Sequence, residues 1–336
     1  MEPVAYSGNV ADELRLLERT KRRLQSIIKI RSGQEDQGLS ANQLVDEYKK
    51  RVEGIVVYPY MNGVDNGTLL RKNKEELKKV EKRLEELKII MDLEANRERT
   101  KRNFQMAERD RIRDVLDRRG IHNLYHFTRI ENLNSILTHG LLPISLHNGH
   151  RISSIRNDYE RFDSLFNFTS FSVGFPNYKL FYSFSKKIYP EAKWVVLELN
   201  ANILTTPNRT ICYCKTNAAY LIPRQKDLNK LTFSSAFEEM FAEKIVTTDN
   251  REVLRRELKI REDQTTDPQA EVLIKGKIDP EFITGICFEN ERDLNAFKDM
   301  NFHLLKNRKY RVDKELFKYR KDFSHWSRER RRPHGK

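Results

Sequence analysis

Gly120 marks a change of texture that fixes the broad outcome: apolar residues recur at helical spacing before it, while short β-branched and aromatic runs separated by turns follow it. A helix buries a stripe every three or four residues and a strand buries alternate residues, so one pattern cannot serve as the other. The chain is therefore expected to combine an α-helical hairpin or coiled-coil arm over residues 1–119 with an α+β domain over residues 120–326. Residues 327–336, rich in arginine, are expected to be a basic disordered tail.

Within the first part, Val10, Leu14, Leu17, Leu24 and Ile28 predict an amphipathic helix over residues 10–31, broken only by Lys21. Leu70, Leu77, Leu84 and Met91 stand seven apart, with Val80 and Leu87 between them and Lys and Glu on either side, the pattern of a heptad seam. The pattern drifts through Phe104, Ile112, Val115 and Leu116 and stops at Gly120, a residue suited to ending a helix. Between the two helices, Ser40 can cap a short helix over 40–52, and residues 55–60 with Asn62-Gly63 and Asn66-Gly67 read as a strand and turns. The two long helices are expected to pack antiparallel as a structural or dimerising arm.

Beyond Gly120, strands are predicted over 123–127, 193–199, 270–274 and 283–288, with a helix over 130–139 ending at Gly140. No G-x-G-x-x-G or Walker sequence is present, so neither a Rossmann nor a P-loop nucleotide site has support.

Charge points to a partner. The net charge of +14 is concentrated in residues 306–336, with 13 Lys and Arg against 4 Asp and Glu, whereas residues 121–305 balance at 23 against 23. Such a segment attracts phosphates and releases their counterions, or simply solubilises the chain; composition leaves both readings open. The three cysteines, Cys212, Cys214 and Cys287, match neither a disulfide framework nor a zinc spacing, which suits a reducing cytoplasm and no metal. His147 and His150 are read as surface histidines, and no apolar stretch suggests a signal segment or a membrane span.

Three clusters can carry chemistry. In Leu124-Tyr125-His126-Phe127-Thr128, a predicted strand puts His126 and Thr128 on one face, where both can hydrogen-bond one ribose, and a helix N-terminus follows at once. The second holds Arg151, Arg156 and Arg161, followed by Phe171–Tyr182 with its dense aromatics; arginines can clamp a pyrophosphate and rings can sandwich a flat cation. In the third, Asp267-Pro268-Gln269-Ala270-Glu271 leads from a polar loop into an apolar strand, so Glu271 points into a half-buried place where it needs a partner or a task. Each cluster alone has an ordinary structural explanation: a satisfied core histidine, surface ion pairs, a solvated edge glutamate.

In this order the clusters resemble the DarT family of DNA ADP-ribosyltransferase toxins, from about Gly120 to Trp326. The resemblance is carried by Tyr125-His126-Phe127-Thr128 with Asn132-Leu133 and Ser135-Ile136-Leu137, the Arg161 region, Phe175-Pro176-Asn177-Tyr178-Lys179-Leu180-Phe181-Tyr182, and Gln269-Ala270-Glu271-Val272-Leu273-Ile274. Tyr319-Arg320-Lys321-Asp322-Phe323 looks like the family's closing strand. The resemblance implies a split-sheet ADP-ribosyltransferase domain that uses NAD+ and modifies a base in single-stranded DNA, as part of a toxin–antitoxin or phage-defence system. By position, Glu271 would be the catalytic carboxylate and Arg161, favoured over Arg156, would face the phosphates and the reacting centre. His126 and Thr128 would hold the nicotinamide-side ribose with Asn132 in support, Leu180 and Tyr182 would line the nicotinamide pocket, and residues 261–269 would recognise the substrate. Lys306, Arg308, Lys309, Arg320 and Lys321, interleaved with aromatics, would take the nucleic-acid strand. No residue distinguishes deoxyribose from ribose, so an RNA acceptor stays open. A non-catalytic nucleic-acid-binding scaffold would leave His126, Arg161 and Glu271 without a role. The arm lies outside the resemblance; it is a candidate docking surface for an antitoxin.

Overall fold

The structure is a computed structural model of the chain, and it describes residues 10–32, 65–147, 165–222, 228–247, 250–301 and 308–327. The short helix and strand expected over 40–52 and 55–60 lie outside the described residues. Contacts divide the chain into two units, Met1–Phe104 and Gln105–Lys336.

In the first unit, α1 (Val10–Arg31) packs antiparallel on the early turns of α2 (Asn66–Arg119). Glu13 pairs with Arg83 at 2.9 Å and Lys21 with Glu81 at 3.1 Å, while the Asn66 amide donates to the Arg31 carbonyl at 3.1 Å. Leu17 and Leu24 meet Val80, Leu84 and Leu87 in a small buried core. The buried row of α2 starts from Leu69, Asn73 and Glu76, one position off the predicted Leu70 and Leu77. Asn73 tolerates this because its side-chain amide bonds the Leu69 carbonyl at 2.9 Å. Met91, expected in the seam, is exposed, as are Ile89, Ile90, Leu93 and Phe104. The reason is length: α1 has only 22 residues, and an antiparallel partner that sets Glu13 against Arg83 leaves little helix to cover Met91.

The second unit is an α+β body. After the last turns of α2 come β1 (Asn123–Arg129), a 3-10 turn (Ile130–Asn132), α3 (Leu133–His139), β2 (Phe168–Val173), α4 (Tyr178–Tyr182) continuing into a π-helical turn (Ser183–Ile188), and β3 (Trp194–Asn200). Then follow β4 (Ile211–Cys214), α5 (Ala218–Leu221), α6 (Ser234–Glu239), the hairpin β5 (Lys244–Val246) and β6 (Glu252–Leu254), and α7 (Arg255–Leu258). The body closes with β7 (Glu271–Lys275), β8 (Ile283–Phe288), α8 (Glu291–Met300), β9 (Lys309–Val312) and α9 (Phe323–Trp326). Seven strands form one sheet in the order β4-β7-β2-β1-β3-β8-β9, antiparallel except for the parallel pair β8–β9.

The sheet is nearly divided at its centre. β1 pairs with β3 over seven residues but with β2 over only two, Leu124↔Val173 and Tyr125↔Ser172. β2 instead gives Phe168 to Phe171 to β7. Past Tyr125 the β1–β2 ladder is open.

One face carries a continuous core, with Leu124, Phe171, Val195, Leu197, Val272, Ile286 and Phe288 packed against α3, α6 and the end of α2. The other face carries two separate clusters. Phe168, Cys212, Cys214 and Leu273 lie on the β4–β7–β2 half, and Phe181, Phe184, Trp194, Val196 and Cys287 on the β1–β3–β8 half.

The expected closing strand at Tyr319 is not formed. The strand that closes the sheet is Lys309–Val312, and the chain turns at residues 320–323 instead, where the Phe323 N–H donates to the Arg320 carbonyl at 2.9 Å and the Arg320 and Asp322 side chains form a buried ion pair.

Candidate active site

Glu271 opens β7 and is buried, exposing 7% of its surface. Its strand neighbour on one side is Cys214, and the Asn217 amide lies 3.5 Å from its Oε1. The loop that delivers it, residues 261–270, has little secondary structure of its own, so its backbone carbonyls need partners from elsewhere. Two buried guanidiniums supply them. Arg255 donates to the carbonyls of Gln264 (2.7 Å), Arg261 (3.0 Å) and Glu262 (3.2 Å) and to the Thr266 hydroxyl. Arg320 donates to the carbonyls of Thr265 (2.8 Å) and Thr266 (3.2 Å), and its other side pairs with Asp322 at 2.5 Å. Burying a charge is costly unless it is paired and hydrogen-bonded, and here the loop carbonyls provide the bonds.

The same loop carries a carboxyl of unusual state. Asp267 is buried, which pushes its carboxyl above the ordinary aspartate range, while the Gln269 N–H, the Thr216 hydroxyl and the Lys179 charge oppose the shift. The Gln269 N–H donates to Asp267 at 2.8 Å, and Lys179 reaches Gln269 at 3.4 Å. On its outer side the loop lies directly on the turn after β2. Gly174 has φ +72°, and a Cβ there would meet the Asp263 carbonyl oxygen at 2.1 Å, so only glycine permits this approach.

Next to Glu271 a row of residues crosses four strands of this face, with Tyr125 also packing on the second apolar cluster. Ser172 is one step along β2 from the Phe171↔Val272 pair; it is opposite Tyr125, which is opposite Glu198, which is opposite Gly285. Glu198 is buried and pairs with Arg311 at 2.6 Å; a Cβ on Gly285 would strike its carboxylate at 2.3 Å. Burial first, then the Glu198 charge, pushes the Tyr125 phenol up to about 12, with Arg261 opposing.

His126 stands where the β1–β2 ladder opens, and its Nδ1 lies 2.9 Å from the Ser170 carbonyl of β2. His126 and Thr128 share a face, since they pair with Leu197 and Val195. Thr128 and Asn132 are brought together: the Asn132 amide donates to the Thr128 hydroxyl at 3.1 Å, and both are buried. Strict alternation would send Glu271 and His126 to opposite faces, so groups from both can reach one ligand only through an opening, and His126 is at that opening. Leu180 packs with the aromatic cluster around Phe181, and Tyr182 is exposed with its ring 5.0 Å from that of Tyr319. Partial desolvation, then the hydrogen bond with Tyr182, pushes the Tyr319 phenol up.

Of the remaining expected site residues, Arg156, Arg161 and Lys306 lie outside the described residues, as does His150. Arg320 is a correction: it is 3% exposed and spends its donors on the loop and on Asp322, so it cannot offer them to a nucleic acid. Arg308 donates to the Pro280 carbonyl, and it and Lys309 lie at the β9 edge of the sheet, five strands from β7. Lys321 is exposed. His147 is half-buried against the Leu142 carbonyl. Arg255, Lys179 and the Glu198–Arg311 pair were missed in the sequence, because their spacing from Glu271 carries no periodic signal and their roles are made by contact. The three cysteines are buried thiols, and among the described residues no group of His, Cys, Asp or Glu could hold a metal ion. No described helix is long and apolar enough to cross a membrane.

Comparison with known proteins gives one family. Its model, described as ssDNA thymidine ADP-ribosyltransferase, DarT, matches residues 125–318. No curated protein matches. Among solved structures, Thermosipho africanus DarTG in complex with ADP-ribose is 17% identical, with a TM-score of 0.39, over 58% of this chain and 51% of that one. Thermus sp. 2.9 DarT in complex with NAD+ is 15% identical, with a TM-score of 0.38, over 59% of this chain and 98% of that one. The same Thermus protein in complex with ADP-ribosylated ssDNA is 14% identical, with a TM-score of 0.35, over 59% and 96%. At these scores the family match carries the comparison.

Two outcomes follow from the loop. Arg320→Met leaves Asp322 charged in the interior and two carbonyls without donors, and should lower the stability of this unit by about 3–5 kcal/mol in urea unfolding. For Asp267, a folded-state value raised above the ordinary one means that its contribution to stability is complete below about pH 3.9 and is lost as pH rises through the raised value. Asp267→Asn should therefore remove that loss, seen as a flatter dependence of the melting temperature on pH above about 4.

Proposed function

The chain belongs to the DarT family, and from that membership we propose that it transfers ADP-ribose from NAD+ to thymidine in single-stranded DNA, with Glu271 as the catalytic carboxylate. The observation that carries this reading is the family match over residues 125–318, within which Glu271 is buried at the end of a loop held by two arginines. The reaction breaks the bond between nicotinamide and the ribose anomeric carbon, and nicotinamide leaves with the bonding electrons. In thymidine the ring nitrogen free of sugar is N3, so a bond from N3 to the anomeric carbon requires loss of the N3 proton. Glu271 has two tasks in this scheme: its negative charge stabilises the oxocarbenium-like carbon, and it accepts the proton. A pinned loop serves both, since preorganised charge costs no rearrangement during the reaction.

In this reading His126 and Thr128 hold the nicotinamide-side ribose at the open end of the β1–β2 ladder, with Asn132 fixing the Thr128 hydroxyl. Arg161, favoured over Arg156, meets the phosphates and the reacting centre, and Leu180 and Tyr182 border the nicotinamide. Residues 120–326 carry the reaction. The reactive N3 is engaged in base pairing in a duplex, which favours an unpaired acceptor. Three buried cysteine thiols suit work in a reducing cytoplasm.

Glu271→Gln keeps shape and hydrogen-bonding capacity but removes charge and basicity. It should lower transfer to a thymidine-containing oligonucleotide by at least about 10²–10⁴-fold, with NAD+ binding retained. Wild-type transfer by this variant would refute the assignment.

An enzyme that marks DNA bases needs restraint in its own cell, and we place this chain in a toxin–antitoxin or phage-defence pair. The antitoxin is expected to use the exposed apolar residues of α2, including Leu93 and Phe104. Leu93→Lys with Phe104→Lys should weaken neutralisation in a growth assay without lowering transfer; unchanged neutralisation removes the arm from this role.

A further inference from the structure

Three large rings lie together in the open: Tyr182, Tyr319 and Phe323 expose 38%, 41% and 37% of their surfaces. Tyr319 stacks on Phe323 with centroids 4.1 Å and planes 23° apart, and Tyr182 is 5.0 Å from Tyr319. Buried Tyr178 supports the set from beneath, edge-on to Tyr319 at 6.0 Å and to Phe323 at 6.1 Å. The other aromatics of the C-terminal segment have inward roles: Tyr310 stacks on Phe297, Phe317 packs on Phe181, and Trp326 is buried with its N–H on Asp322. The structure thus sorts one aromatic-rich stretch into core rings and an exposed set.

Cations border the exposed set. Lys187 lies 5.8 Å from the Tyr182 ring centroid, and Lys321 is exposed two residues after Tyr319. Lys318 and Lys186 are there too, facing Glu315 and Glu289. Asp322, the carboxylate within the stretch, is buried and matched by Arg320, so it presents no charge to a polyanion. Rings that accept any base by stacking, beside amines that accept phosphates, are the chemistry of single-strand binding.

From this we infer that Tyr319 and Phe323, propped by Tyr182, form a stacking platform for the unpaired nucleotides that flank the reacting base. The inference rests on the proposed transfer to single-stranded DNA and adds where the strand lies. Its position suits that task. Arg320, between Tyr319 and Lys321, bonds the Thr265 and Thr266 carbonyls, and Lys179, beside Tyr178, bonds Gln269, two residues before Glu271. A strand on the platform therefore runs beside the loop that delivers the catalytic carboxylate.

The test is fluorescence anisotropy with the full chain and no NAD+, using a labelled oligothymidylate and an abasic oligonucleotide of equal length. Tyr319→Leu and Phe323→Leu keep apolar bulk over Tyr178 while removing the stacking face. Each should weaken oligothymidylate binding by about 5- to 150-fold, leave abasic binding unchanged, and leave calorimetric NAD+ binding unchanged, with Tyr319→Trp restoring wild-type affinity. Lys321→Gln, at an exposed position, should reduce the salt slope of binding by about one. Wild-type oligothymidylate affinity in both leucine variants overturns the platform, as does a parallel loss of NAD+ binding, which would give the rings to the dinucleotide. Because binding is read without NAD+, a wild-type chain that binds the oligonucleotide yet yields no ADP-ribosylated product sinks the transfer reading and leaves the platform standing.

Discussion

Two buried guanidiniums hold the loop that leads into Glu271. Arg255 and Arg320 between them bond five backbone carbonyls of the segment from Arg261 to Thr266, a stretch that makes no ladder of its own. An arginine fork suits this duty, since its planar donors fix several acceptors at once and it stays charged on burial. The arrangement makes loop and body mutually dependent: the arginines need the carbonyls to be tolerable inside, and the carbonyls need the arginines to be satisfied. Glu271 inherits its position from that exchange, as does Asp267, whose burial keeps a second carboxyl beside it out of its ordinary range.

The split sheet sets the frame around this loop. A ladder that closes for two residue pairs and then opens creates a gap that no side-chain choice alone could make, and His126 marks its edge by bonding across to β2. On the face of Glu271, apolar packing forms two islands, and Ser172, Tyr125, Glu198 and Gly285 make a row across four strands, with Tyr125 against the second island. Glu198 is tolerated there because Arg311 reaches it from β9 and Gly285 leaves room for it. The row is thus built from four strands, each giving one residue. The helical unit shows a simpler economy: where α1 covers α2 leucines are buried, and where it does not they face water.

Reading the chain in order recovers much of this. The texture change at Gly120 marks where the long helix gives way to strands, and periodicity locates α1, α2 and the main strands to within a residue or two. Glu271 stands out because a carboxylate rarely opens an apolar strand, and His126 with Thr128 because they alternate onto one side. Other assignments could not be made that way. Arg320 looks like one more cation in a basic tail, yet it is among the most deeply buried charges of the body. Tyr310, Phe317, Tyr319, Phe323 and Trp326 look alike as interleaved aromatics, and only packing separates the exposed pair from buried Trp326 and from Tyr310 and Phe317, which are partly buried against the core.

Local pattern therefore determined what repeats locally: which stretches are helix or strand, where they stop, and which polar residue interrupts an apolar run. That information is carried by neighbours within a turn or a pleat, so it survives in a one-dimensional string. Tertiary structure decided which side chains are brought together from afar. The bond from Arg320 to Thr265 spans 55 positions and the pair of Arg311 with Glu198 spans 113. Over such separations no periodicity links partners, and whether a cation faces water or a carbonyl is settled only when the strands that carry them are in place.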